Sequence, residues 1–173
     1  MVSKPKPLKS ERKPKSKPAG SRRKVLEAQL KDMVIRIIFW RDVDCVQKPM
    51  DGWRCGGSGL AWGHYIAQGQ SAWLRYDLGN VFVQCSNHNL LDYNNDKSYT
   101  AWFSSMFGLE AVRAMDTERD AHRKKERAVY ELEELLAHYD DLYQDRFYAD
   151  LTTESLVERG YYGEIIQDVW SKR

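Results

Sequence analysis

Between positions 45 and 89 the chain gathers residues whose types and spacings could do chemistry. All three cysteines lie there, at Cys45, Cys55 and Cys85, and Cys85 forms C-x2-H with His88. Zinc takes four soft or borderline ligands in a tetrahedron, usually as two pairs on separate loops. The second pair has that spacing; the first, C-x9-C, is wider than a rigid knuckle uses. Spacing alone therefore leaves two readings open: a zinc site, or three small buried thiols packed as hydrophobes. His64 follows Gly63, and the carboxamides Asn80 and Asn89 come after it, Asn89 directly behind His88. An imidazole can act as a base near neutral pH, and an amide oxygen is a hard ligand suited to Mg²⁺. The plainer alternatives are a hydrogen-bonded structural histidine and, for Asn89, a helix cap. Arg75 either contacts a phosphate or pairs with a carboxylate such as Asp77.

These residues need a scaffold, and the hydrophobic pattern outlines one. Val25, Leu26, Leu30, Val34, Ile37 and Ile38 recur at helical spacing between Lys24 and Trp40. A loop dense in Gly, Pro, Asp and Cys follows over residues 42–59. Residues 60–66 and 81–84 read as short strands separated by turns. Residues 98–107 form an amphipathic helix carrying Tyr99, Trp102, Phe103 and Met106, with Gly108 suited to its C-terminal cap. A charged helix covers residues 109–143, with an interruption expected near 116–117. Short helices are expected at 153–159 and 162–172.

The net charge of +2 is unevenly spread. Residues 1–24 hold ten Lys or Arg against the single Glu11, together with four of the five prolines, so the remainder of the chain is net acidic. Too little apolar surface is present in this stretch to offset its ordering entropy, which predicts a disordered basic arm. Lys13, Lys15, Arg22, Arg23 and Lys24 are its candidate phosphate contacts; a solubilising tail is the bland reading. No apolar run long enough for a membrane helix occurs, and no apolar stretch backs the basic N-terminus as in a secretory leader. A cytoplasmic, reducing setting is the expectation, in which an odd number of cysteines favours thiols or metal ligands over disulfides.

Read together, His64, Asn80 and Asn89 follow the His–Asn–Asn order of HNH nucleases. The chain resembles the NinG family of lambdoid phages, also called Rap. The shared elements are Arg41-Asp42-x-Asp44, Cys55-Gly56, Gly63-His64-Tyr65, Leu74-Arg75-Tyr76, Asn80-Val81 and Gln84-Cys85. They continue through Asn89, Asn95, Tyr99 and Gly108 to Glu110-Ala111-Val112. The resemblance implies an α+β chain: a zinc-stabilised ββα-metal core at residues 25–108, flanked by helices, with a helical extension at 109–173. It also implies a nuclease of phage recombination acting on branched DNA such as Holliday junctions or D-loops, in the cytoplasm of a bacterial host. In that reading Cys45, Cys55, Cys85 and His88 hold structural Zn²⁺, and Asn89 holds a catalytic Mg²⁺ or Mn²⁺. His64 is the general base, and Asn80 braces its loop.

Two departures from the pattern stand out. Many HNH enzymes carry Asp immediately before the base, where this chain has Gly63; Asp92 and Asn95 are the nearby substitutes. The long Cys45–Cys55 loop is the other, and its Lys48, Trp53 and Arg54 either touch DNA or simply face solvent. The competing functions are a zinc-stabilised branched-DNA-binding protein without cleavage, and a sequence-preferring homing or restriction enzyme. No base-reading module is visible for the latter. The apolar stripe Leu132, Leu135, Leu136 and Tyr139 packs on the domain or joins two copies in a homodimer. The basic Arg119–Arg127 cluster is a candidate for the DNA path.

Overall fold

The computed structural model describes residues 19–42, 44–51, 55, 59–91 and 95–147. Lys13, Lys15, Trp53, Arg54, Asp92 and the two expected C-terminal helices lie outside them, as does the side chain of Asn95. The element order is α1 (Ala19–Asp42), a one-turn helix α2 (Lys48–Asp51), β1 (Ala61–His64) and β2 (Val81–Gln84). A π-turn (Asn87–Leu91), α3 (Asn95–Ala121) and α4 (Val129–Phe147) follow. The chain is thus α+β, with one small sheet among helices.

Strands β1 and β2 pair antiparallel, with Trp62 opposite Val83 and His64 opposite Val81. Because side chains alternate along a strand, β2 serves two cores at once. Val81 and Val83 face a cluster built from α1 (Leu26, Leu30, Val34, Ile37, Ile38) and α4 (Leu132, Tyr139). Phe82 faces the other way, into an aromatic cluster with Tyr99, Trp102 and Phe103 of α3. All four residues of β2 are buried, which explains why the segment reads as a continuous apolar run rather than an alternating one. Tyr65 stacks on Phe103 with ring centroids 4.1 Å apart, and Trp102 meets Phe82 edge-on at 4.9 Å. The helices therefore clamp the hairpin from both faces.

The boundaries differ from the sequence reading in three places, each with a local cause. Helix α1 begins at Ala19, so residues 19–24 leave the expected arm and open the helix. Arg22 pairs with Glu133, and Arg23 pairs with Glu27 and Glu126 while donating to the Arg127 carbonyl, 2.9 Å away. Strand β1 ends at His64 instead of residue 66 because the Asn80 side chain captures the backbone of Ile66. Gly108 interrupts the helical path (φ 82°, ψ 166°) as expected, and the helix that follows runs to Ala121. The break expected near 116–117 falls at residues 122–128. There the chain wraps Trp73: the His122 ring stacks at 4.1 Å, and the Arg127 guanidinium sits 4.3 Å from the indole centroid.

The stripe on α4 packs against α1 of the same chain, with Leu132 and Tyr139 buried. Leu135 and Leu136 of the same stripe are half-buried against that cluster. No helix among the described residues is long and apolar enough to cross a membrane.

Candidate metal centre and histidine loop

Cys45 follows the end of α1, Cys85 follows β2, and His88 lies in the π-turn. Backbone bonds bring these segments together: Val46 N–H donates to the Val83 carbonyl at 3.0 Å, and Asn89 N–H to the Cys85 carbonyl at 2.9 Å. The Sγ atoms of Cys45, Cys55 and Cys85 and a ring nitrogen of His88 all lie within 4.8 Å of one another. The wide C-x9-C loop thus delivers both thiols to one point.

The distances test the fit to zinc. Zn–S bonds of about 2.3 Å and Zn–N bonds of about 2.0 Å at tetrahedral angles require S···S near about 3.8 Å and S···N near about 3.5 Å. Cys55 and Cys85 sulfurs are 3.8 Å apart, and His88 Nδ1 lies 3.3 Å from Cys45 Sγ and 3.4 Å from Cys85 Sγ. Three thiols and one imidazole, with these three separations at tetrahedral edge lengths and the others within 4.8 Å, are a donor set suited to zinc. Without a cation, burial pushes the Cys45 thiol up to about 12, and the neighbouring Cys85 and Cys55 thiols add to the rise. A bound divalent ion reverses that preference, because a coordinating thiol is deprotonated outright. The four residues, Cys55 half-buried and the other three buried, form one cluster that could hold a metal.

His64 ends β1, half-buried, with the Trp62 ring edge-on at 4.8 Å. Its Nε2 lies 2.9 Å from the Arg75 carbonyl oxygen. A carbonyl can only accept, so Nε2 carries the proton and Nδ1 presents a lone pair. Gln68 Nε2 stands 3.5 Å from that Nδ1, on the exposed side. Burial lowers the His64 pKa from the ordinary imidazole value; the Arg75 carbonyl opposes this and the Arg75 charge reinforces it. The neutral form is therefore favoured near pH 7.

The loop between the strands is held by Asn80, which is fully buried. Its Oδ1 accepts from Ile66 N–H at 2.6 Å, and its Nδ2 donates to the carbonyls of Ile66 (3.1 Å) and Leu74 (3.0 Å). The brace acts one residue before Arg75, whose carbonyl orients His64. Arg75 contributes more than its carbonyl: its guanidinium lies 6.0 Å from the Tyr76 ring centroid, and its Nε is buried with no hydrogen-bond partner among the described residues. Asn89 donates from Nδ2 to the Trp62 carbonyl at 3.4 Å, which sets it against β1 two residues before His64. His64, Asn80 and Asn89 are thus joined through one hairpin and its loop.

Several residues that the spacing did not single out hold this arrangement. The Arg41 guanidinium, buried against Asp42, donates to the carbonyls of Leu78 (2.8 Å) and Val81 (2.7 Å), on either side of Asn80. Asp42 Oδ2 accepts from Val83 N–H at 2.7 Å. The Tyr139 hydroxyl donates to the Tyr76 carbonyl at 2.9 Å and accepts from Leu78 N–H at 3.3 Å. Gln84 donates to Gln47 at 2.5 Å, and Gln47 to Ser98 at 3.0 Å. Arg41-Asp42 belongs to the matched family pattern, which was the one available signal; partners nearly forty residues away leave no local trace.

Gln84 also explains the missing aspartate. A Cβ added at Gly63 would stand 1.8 Å from Gln84 Oε1 and 2.4 Å from its Cδ. The space behind the histidine is filled by a buried amide, so no side chain fits at position 63 while Gln84 stays. Of the expected DNA contacts, Lys24 is exposed, whereas Arg22 and Arg23 are engaged by carboxylates. Lys48 pairs with Asp44.

Fold and site together define a small α+β protein whose two-stranded hairpin carries a Cys3His cluster able to bind a metal ion and, beside it, a loop-bound histidine. The chain belongs to the bacteriophage lambda NinG protein family, whose sequence profile matches residues 5–146, and so to phage recombination-related proteins. Neither a curated protein nor a solved structure matches it.

Proposed function

We propose that this protein is an HNH-type, divalent-metal-dependent endonuclease that hydrolyses phosphodiesters in branched DNA. The observation that carries the reading is His64 Nε2 held 2.9 Å from the Arg75 carbonyl, a contact that places the proton on Nε2 and leaves Nδ1 unprotonated on the exposed side beside Gln68. Nδ1 accepts a proton from the water that attacks phosphorus, a step that needs the neutral imidazole favoured here by burial. Asn80 keeps the Arg75 carbonyl in place, and so keeps the base oriented. With its Nδ2 turned to Trp62, Asn89 retains a carboxamide oxygen for one Mg²⁺ or Mn²⁺ ion. That ion, when bound, neutralises charge developing on the phosphate and the leaving oxygen. The Cys3His cluster holds structural Zn²⁺, making the hairpin, the π-turn and Asn89 one rigid unit. Arg75, Lys24 and the basic segment preceding α1 supply phosphate contacts without sequence preference.

A second reading is a branched-DNA-binding protein without cleavage. It is favoured by the filled space at Gly63, where related nucleases carry the carboxylate that helps hold the ion. Labelled Holliday junction, D-loop and linear duplex, incubated with and without Mg²⁺ or Mn²⁺, separate the two. Nicking of branched substrates by the wild type, lost in His64→Ala with zinc content unchanged, is the expected result. Tight binding with no cleavage in either ion would overturn the nuclease in favour of the second reading.

A further inference from the structure

Beside the histidine loop a cavity of about 620 Å³ opens between the turn at residues 67–72 and the end of α3. Arg119, Arg123, Lys124 and Lys125 line it, against the two carboxylates Asp120 and Glu126. Arg119 is committed to Asp116 and Asp120. No ion pair of Arg123, Lys124 or Lys125 occurs among the described residues, and all three are exposed. The chain turns here with Lys124 in the left-handed region (φ 65°), which side chains other than glycine and asparagine seldom adopt. Both walls are anchored to Trp73, sandwiched between His122 and Arg127. The opposite wall contains Gln68, whose amide nitrogen is 3.5 Å from His64 Nδ1. Gln68 thus stands between the cavity and the imidazole nitrogen proposed as the base.

We infer that this cavity is a backbone subsite for DNA, taking a phosphate next to the one presented to His64. The inference rests on the nuclease reading for its choice of ligand, but its binding can be measured without cleavage. Four cations against two carboxylates suit a phosphodiester strand that passes through, more than a small anion that must be enclosed. The rigid sandwich fixes the distance between the basic turn and His64, so the subsite sets which phosphodiester reaches the base. It also narrows the DNA path expected along Arg119–Arg127 to one subsite at the turn after α3.

The test uses zinc-loaded full-length protein, a fluorescent duplex and a labelled junction, and anisotropy over a range of salt without added divalent ion. Each phosphate that the protein no longer neutralises lowers the slope of log affinity against log salt by about 0.9, equivalent to roughly eightfold weaker binding at about 0.1 M salt. Arg123→Gln with Lys125→Gln should flatten the slope by one to two such steps, whereas Asp120→Asn should tighten binding. Opposite signs from neighbouring exposed positions cannot come from misfolding. An unchanged slope and affinity in both variants would overturn the subsite, and cleavage surviving in them would leave the nuclease standing. A flattened slope with no cleavage by wild type supports the subsite and removes the nuclease. Competition by inorganic phosphate below the millimolar range would show a free-anion site and overturn the backbone assignment.

Discussion

Asn80→Ala removes the hydrogen bonds to Ile66 N–H, Ile66 C=O and Leu74 C=O, all in a buried setting. A net hydrogen bond contributes about 1 kcal/mol, and a buried group left unsatisfied costs about 1–3 kcal/mol. The Ile66 N–H, which loses its only acceptor here, sets the upper end; water entering the vacated space sets the lower. The sum is about 3–6 kcal/mol, a fifth or more of the roughly 5–15 kcal/mol that holds a domain together. Denaturant unfolding at fixed free zinc measures it directly, because zinc binding otherwise shifts the apparent stability. Asn80→Asp is the companion variant: it keeps the acceptor but sets a carboxylate against two carbonyls, so it should not recover the loss. Because Arg75 lies next to the brace, DNA cleavage per folded molecule should also fall by more than tenfold in either variant. A stability loss below about 0.5 kcal/mol would refute the claim that this carboxamide holds the loop.

The same geometry makes three further predictions. Chelating the metal or making Cys85→Ser should unfold the hairpin, since structural zinc supplies about 10 kcal/mol or more; protein purified without added metal should carry close to one zinc per chain, and a folded metal-free form would contradict this. Gly63→Ala should cost about 1–3 kcal/mol through overpacking against Gln84, and combined with Gln84→Ala it should cost less than the two single variants summed; a neutral single variant would dismiss the crowding. Cleavage should rise with pH and level off at an apparent pKa below the usual imidazole value, because burial depresses His64 and the reaction needs it unprotonated. Activity lost on acidification through that pKa is the expected direction, while a midpoint above about 7 would assign the titration to another group.

The helices were legible because their cores need little more than periodicity. Leu26, Leu30, Val34, Ile37 and Ile38 announce one buried face, and that face is what α1 presents to β2 and α4. The same pattern could not reveal where a helix stops when the stop is tertiary. The break after α3 sits at residues 122–128 because Trp73, some fifty residues earlier, is gripped there. Likewise Arg22 and Arg23 read as members of a basic arm until carboxylates at 126 and 133 come within reach.

For the site the division is similar. Residue types and order were enough to nominate Cys45, Cys55, Cys85 and His88, since ligand chemistry belongs to the side chain itself. Whether a ten-residue spacing can bring two ligands to one ion is a question of where the chain goes between them, and folding answered it by bringing all four donor atoms within 4.8 Å of one another. The tautomer of His64 depends on a carbonyl eleven residues away, and the absence of a side chain at 63 on the amide of Gln84. Composition and period determine which groups are available and which faces are apolar, because those are properties of one residue and its near neighbours. Orientation, protonation and excluded space are decided by atoms distant in sequence, so only the packed chain contains them.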